Sequence, residues 1–328
     1  MDRLSAAAMP WLESERGQLR AAFDAGRLPH SLLILSGPGL GAEALARWIA
    51  ALALCESPDR PCGRCAACQL LAADSHPDLH VVGVEDDAQQ IKVDQVRALI
   101  ETLALKSYRG GFKVGIIEGA ELLNASGANA FLKTLEEPTA NTVLILVARP
   151  NHRLPATISS RCLRMSLRAP SPQIALDWLA GATTPGSAPA WTAALALAGG
   201  APLLAAELVR EGLAELDKDM QSSLAQLAAD SVDVTLLAER WLRSQPGLRI
   251  AWLENWITRR VHAALGTAHS DQSAEPVRLP AALLKVKIRR LFELLDALHE
   301  LRRLTSTGLN QQLALEALLL GGRAAFAK

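Results

Sequence analysis

The first half of the chain alternates short apolar runs with helical periodicities. Residues 31–37 (SLLILSG) are apolar and end in glycine, which predicts a buried strand. Leu45, Trp48, Ile49 and Leu52 recur at helical spacing, predicting a helix over 42–56. A strand follows at 78–83 (DLHVVG), then a helix from Asp94 with Val96, Leu99, Ile100 and Leu103 on one face. Next come a strand at 113–118 (KVGIIE), a helix at about 124–136 stopped by Pro138, a strand at 142–148 (TVLILVA) and a short strand at 162–167.

Strands separated by helices imply a parallel sheet covered on both faces, so an α/β domain is expected first. The pattern changes at Pro170 and Pro172, and no strand pattern follows. Residues 173–210 read as a small helical unit interrupted at 183–189 (TTPGSAP) and at Gly199-Gly200-Ala201-Pro202. From 213 onward the periodicity is that of long amphipathic helices. Leu248, Trp252, Trp256 and Val261 mark one; Leu283, Val286, Leu291, Leu294, Leu295, Leu298 and Leu301 mark another. Residues 266–280 are polar and read as a linker. A helical bundle is the expected architecture of this half.

Composition narrows the function classes. Half of the 328 residues are apolar, enough for a substantial core. Lys plus Arg and Asp plus Glu both number 34, and this neutral balance argues against a stand-alone nucleic-acid binder. The longest apolar runs fall well short of the roughly 20 residues that cross a bilayer. The N-terminus carries Asp2, Arg3, Glu13, Glu15 and Arg16 rather than an apolar leader, so no signal peptide and no membrane are expected, and the cytoplasm is.

Ser36-Gly37-Pro38-Gly39-Leu40-Gly41 lies between a predicted strand and a predicted helix, the place of a phosphate-binding loop. Taken alone, the segment reads equally as an ordinary strand–turn–helix. A working P-loop continues with lysine for the β/γ-phosphates and a hydroxyl for Mg²⁺. Here Ala42 and Glu43 stand in those places, and a carboxylate beside phosphates would repel them. The strand at 113–117 leads into Glu118-Gly119, where a hydrolytic site carries two acids. Glu118 could still serve a metal shell; Gly119 removes the second acid. The loop glycines Gly37, Gly39 and Gly41 with Ala42 and Glu43 therefore make a degenerate site, and ATP binding is not expected.

Four of the five cysteines, Cys55, Cys62, Cys65 and Cys68, are spaced C-x6-C-x2-C-x2-C. Four thiolates can close a tetrahedral Zn²⁺ site, with Gly63 allowing the tight turn. With no open ligand position, its role would be structural. An iron–sulfur cluster is the alternative, although the C-x3-C-P element of ferredoxins is missing. His76-Pro77-Asp78 reads as a turn, and Cys162 as a small packed hydrophobe. Arg109, Gly110-Gly111 and Lys113 form a basic cluster that could meet phosphate, though solvent exposure is the commoner fate.

The P-loop frame, the cysteine insert at 55–68, NAFLKTLEEP at 129–138 and Ser160-Arg161-Cys162 occur together in this order. The combination resembles the clamp-loader subunits of bacterial replicases, over essentially the whole chain and most specifically from 30 to 165. The resemblance implies an AAA+ domain with zinc-binding insert (1–169), a helical lid (170–212) and a helical collar (213–328) that holds a five-membered ring. It implies gamma/tau and delta subunits as ring partners, a sliding clamp, and primed DNA met through the assembled complex. It makes Arg161 an arginine finger offered in trans to a neighbour's ATP. Active members carry a sensor arginine where this chain has Gly199-Gly200-Ala201-Pro202-Leu203. The chain is therefore expected to be a non-catalytic accessory subunit of a DNA-directed DNA polymerase holoenzyme. An ATP-hydrolysing motor subunit of the same ring and a zinc-dependent nucleic-acid binder are the competing readings. Lys133, Glu136 and Glu137 remain without an assigned role.

Overall fold

The computed structural model describes residues 8–85, 88, 90–150, 154–181, 188–264, 288–304 and 311–326. The chain divides into two compact units, Met1–Trp178 with Ala201–Leu204, and Leu179–Gly200 with Ala205–Lys328.

In the first unit, α1 (Glu13–Asp24) precedes β1 (Ser31–Leu35), α2 (Ala42–Leu54) and the short α3 (Ala66–Ala72). Then follow β2 (Leu79–Val82), α4 (Val93–Ala104), β3 (Lys113–Glu118), α5 (Ala125–Glu136) and β4 (Thr142–Ala148). The one-turn α6 (Ala156–Ser159), β5 (Leu163–Ser166) and the start of α7 (Pro172–Gly181) complete it. The five strands form one parallel sheet in the order β2-β3-β4-β1-β5. Ser31 pairs with Leu144, Leu32 with Leu163, and Gly115 with Leu144. β4 is central and buried along its whole length, which explains its unbroken apolar run. β5, at an edge, is mostly exposed and correspondingly mixed in sequence.

One face of the sheet is covered by α4 and α5, whose Val96, Leu99, Leu103, Ala128, Phe131 and Leu135 meet Leu144 and Leu146 in a buried cluster. Asn124 caps α5, its Oδ1 accepting the Gly127 amide at 2.7 Å. On α2, every residue from Leu45 to Leu54 is buried. The two expected strands at 113–118 and 142–148 form with those bounds. Neither α1 nor α3 stands out from apolar periodicity: α1 buries only Leu19, and α3 spans only 7 residues.

The second unit is helical among its described residues. It holds α8 (Ala188–Leu197), the body of α9 (Pro202–Arg210), α10 (Leu213–Ala228), α11 (Val234–Arg243), α12 (Pro246–Ala264), α13 (Ile288–Leu304) and α14 (Gln311–Phe326). Trp241, Trp252, Leu253, Ile257, Leu294 and Leu298 are buried there. The Trp252 indole donates to Asp217 at 2.8 Å, and the buried Arg249 pairs with Asp219 at 2.5 Å. The linker expected at 266–280, and the helix positions Leu283 and Val286, lie outside the described residues. Among the described residues no single helix is long and apolar enough to cross a membrane; one bent pair passes the same test by length and composition only.

Candidate functional site

The loop Ser36–Gly41 joins β1 to α2, and Gly41 stands at the N-cap in the left-handed region (φ 88°). Its carbonyls and the Ser36 hydroxyl find partners inside the chain. Ser36 Oγ donates to the Gly37 carbonyl at 2.8 Å, and the Trp11 indole donates to the Leu40 carbonyl at 2.9 Å. The Leu203 amide donates to the Gly39 carbonyl at 3.1 Å. Gly39 also has positive φ (75°), and a Cβ there would lie 2.5 Å from Leu204 Cβ. A Cβ on Gly41 would lie 2.7 Å from Met9 Sδ. Glycine lets another backbone or a ligand approach closely; at this loop, the approaching groups are Met9, Leu203 and Leu204. Gly199–Leu203, the turn without an arginine, thus reaches the loop with leucine. Ala42 is 2% exposed. Glu43 faces solvent in the first turn of α2, where a negative charge suits the helix N-terminus.

At the end of β3, Glu118 is engaged within the chain. Arg47 of α2, 9% exposed, donates through Nη2 to Glu118 at 3.3 Å and through Nη1 to Asp74 at 3.0 Å. Glu118, read from the sequence as a possible metal-shell acid, thus has an internal guanidinium as its neighbour. Arg47 escaped sequence reasoning, although a lone cation in an otherwise apolar stretch (ALARWIAALAL) is itself a sign of a buried ion pair. Gly119 takes a positive φ (79°), and opens a 3₁₀ turn rather than carrying an acid.

The four cysteines converge at the other end of α2. Cys55 terminates the helix, and Cys65 caps α3, its sulfur accepting the Cys68 amide. All four Sγ atoms lie within 4.8 Å of one another, an arrangement that could hold a metal ion. A tetrahedral shell with Zn–S bonds of about 2.3 Å has S–S edges of about 3.8 Å; Cys55 and Cys65 are 3.8 Å apart. Backbone amides point at sulfur throughout: Ser57 and Cys62 at Cys55 (3.4 and 3.5 Å), and Cys65 at Cys62 (3.3 Å). The donated amides of Arg64 and Cys65 bring the Cys62 thiol down to about 6, favouring the thiolate that a metal requires. Burial pushes the Cys55 and Cys68 thiols up, so a cation would have to draw off those protons. Gly63 turns with positive φ (69°), as the spacing requires. Cys162 packs against the sheet's core cluster, and burial raises its thiol to about 11.

The basic cluster expected around Arg109 does not form. Lys113 is 5% exposed, and its ammonium donates to the carbonyls of Leu103 and Leu105 (2.7 Å for the latter) and to Thr139 Oγ1 at 3.0 Å. It closes the C-terminal end of α4, where a cation is favourable. Arg109 pairs with Glu56 at 2.5 Å. Asp78 is 3% exposed and fastens this loop, accepting from the amides of Tyr108 (2.6 Å) and Arg109 (3.0 Å) and from Ser107 Oγ (3.2 Å). His76 makes the expected turn, its Nδ1 accepting the Asp78 amide at 3.1 Å.

Arg161 stands on the turn between α6 and β5, its side chain 35% exposed. Its Nε donates to Glu136 Oε1 at 2.6 Å and its Nη1 to the Thr157 carbonyl at 2.9 Å. Glu136, on the last turn of α5, thereby acquires a partner that no local pattern indicated.

A five-stranded parallel sheet in this order, with a glycine loop after its first strand and an acid closing its third, defines a P-loop domain of the AAA+ class. The family model described as DNA polymerase III, delta subunit, matches residues 13–171. The Pseudomonas aeruginosa DNA polymerase III subunit delta' is 35% identical over 319 residues, covering 95% of this chain and 96% of that protein. The Escherichia coli subunit delta' is 41% identical over 177 residues, about half (53%) of either chain. A Thermotoga maritima DNA polymerase III gamma-subunit-related crystal structure aligns at 19% identity with a TM-score of 0.46, over 94% of this chain and 99% of that one. The chain belongs to the DNA polymerase III subunit delta' family.

Proposed function

We propose that this chain is a non-catalytic subunit of the replicative clamp loader, without ATPase activity of its own, that offers Arg161 to a neighbouring subunit's ATP during DNA replication. The observation that carries the reading is a contrast within one sheet. The phosphate loop is packed by Met9, Leu203 and Leu204, and Glu118 is neutralised by Arg47, whereas Arg161 stands exposed on a turn. A guanidinium supplied in trans to a transferring phosphoryl group raises the rate by about 10³–10⁵-fold in related chemistry.

In this reading the partners are gamma/tau and delta subunits in a hetero-pentameric ring in the cytoplasm, with the sliding clamp and primed DNA met through that ring. The chain divides into an AAA+ domain (1–169), a lid (170–212) and a collar (213–328). Zn²⁺ is held by Cys55, Cys62, Cys65 and Cys68 as a structural ion; sulfurs within 4.8 Å of one another suit a single ion and are too close to bracket an iron–sulfur cube.

The test is an Arg161→Ala ring assembled with clamp and primed DNA. The stimulated ATPase rate should fall at least about tenfold at the affected site; an unchanged rate would sink the proposal. Tight Mg·ATP binding with turnover by the isolated chain would instead make it a motor subunit.

A further inference from the structure

Arg161 is not free to serve a neighbour as it stands. A guanidinium has five N–H donors. The Nε–H goes to Glu136 Oε1 at 2.6 Å, and Nη2 is in ion-pair contact with the same oxygen. The two on Nη1 go to the Thr157 carbonyl at 2.9 Å and to Ser160 Oγ at 3.3 Å. Among the described residues Nη2 donates no hydrogen bond. Recognition of a phosphate uses two parallel N–H bonds from one edge of the guanidinium. The Nε/Nη2 edge is covered by a carboxylate, and on the Nη1/Nη2 edge the Nη1 donors are already engaged. Neither edge can fork onto a phosphate until a bond within the chain is given up.

Glu136 is also the bond most readily exchanged. Its side chain is 49% exposed, and it sits on the last turn of α5, where the helix end disfavours a negative charge. Its attraction for Arg161 is that of a surface ion pair, which biases an equilibrium by no more than about fivefold. A nucleotide γ-phosphate carries more charge and more acceptor oxygens.

We propose that Glu136 is a latch on Arg161: an intramolecular stand-in for the neighbour's phosphate that keeps the arginine folded on its own subunit until ATP displaces it. This rests on the reading of Arg161 as a finger supplied in trans. The latch is a bias rather than a lock. It raises the ATP concentration at which the finger engages and leaves the rate at saturation to Arg161 itself. Glu136 is thus a positioning residue, acting only through Arg161.

Two measurements test it. In a ring reconstituted with Glu136→Gln, which keeps the length and an acceptor oxygen but removes the charge, the KM for ATP should fall about two- to fivefold, with kcat unchanged. Raising the salt should shrink that difference, because screening weakens the pair in the unmodified ring. Arg161→Ala should lower kcat, and the double variant should match it. A KM that stays or rises in Glu136→Gln, in a ring where Arg161→Ala lowers the rate, overturns the latch and leaves the finger standing.

The pair is read separately in the isolated full-length chain, from the proton and nitrogen NMR signals of Arg161 Nε–H. Slow exchange with water and a downfield proton are expected, both lost in Glu136→Gln; a signal that does not respond overturns the latch whatever the ring does. An Arg161→Ala ring of unchanged rate removes the finger, and the latch's role with it, even where NMR finds the pair.

Discussion

The two ends of α2 carry the same kind of feature, a loop that could receive a ligand, with opposite outcomes. At the N-terminal end the chain supplies its own contents: side chains and amides of Met9, Trp11, Leu203 and Leu204 occupy the glycine loop. At the C-terminal end four sulfurs face one another, and backbone amides point at them. The difference lies in what the surroundings can replace. A phosphate loop needs donors aimed outward at an anion, and hydrophobic packing can take over its structural role. A cluster of thiols gains most of its cohesion when a cation draws off its protons and binds the thiolates.

This contrast can be broken at several points. The largest effect is expected at the thiol end. With zinc bound as proposed, a chelator, or Cys68→Ser, should lower stability by roughly 3 kcal/mol or more, a fraction of what zinc contributes to free finger peptides. Thermal melting with and without chelator checks it, and coincident melts would mean that the thiols need no ion. At the loop end, Gly39→Ala should cost about 3 kcal/mol, from positive φ and collision with Leu204. Urea unfolding measures it; a neutral result would mean that the leucines do not fill the loop in solution. Arg47→Met should cost about 1–2 kcal/mol by leaving Glu118 and Asp74 without their cation, a figure kept low because Asp74 is half exposed.

The smallest effect is one of pH. Burial pushes His76 and His80 below the ordinary histidine value, with the Asp78 carboxylate opposing. The unfolded chain therefore takes up protons first as the pH falls. Stability should be full above the unfolded value near 6.5 and decline below it. His76→Asn should flatten that slope in denaturant titrations between about pH 7 and 5; an unaltered slope would clear His76 of any part in it.

Much of the first unit was legible in the sequence. The buried strands β3 and β4 announce themselves because an unbroken apolar run bounded by polar residues has few other fates. The thiol cluster was legible because its ligands fall within 14 residues, and Gly63 marks its turn. The pairings that decide the rest join residues distant in sequence. Arg47 meets Asp74 27 residues away and Glu118 71 residues away, while Arg161 meets Glu136 25 residues away. Helical and strand periodicities relate neighbours a few positions apart and are silent about such pairs. Lys113 was misread for the same reason: its charge suggested solvent, but its partners are the last carbonyls of a helix that ended eight to ten residues earlier.

The two positive-φ glycines of the loop carry a lesson for reading other chains. At Gly39 and Gly41 steric crowding from leucine and methionine is by itself enough to require glycine. A lineage that abandoned ATP would still be penalised for replacing either. The glycine signature can therefore outlive the activity it is used to detect, and its diagnostic value rests on the side chains that follow it.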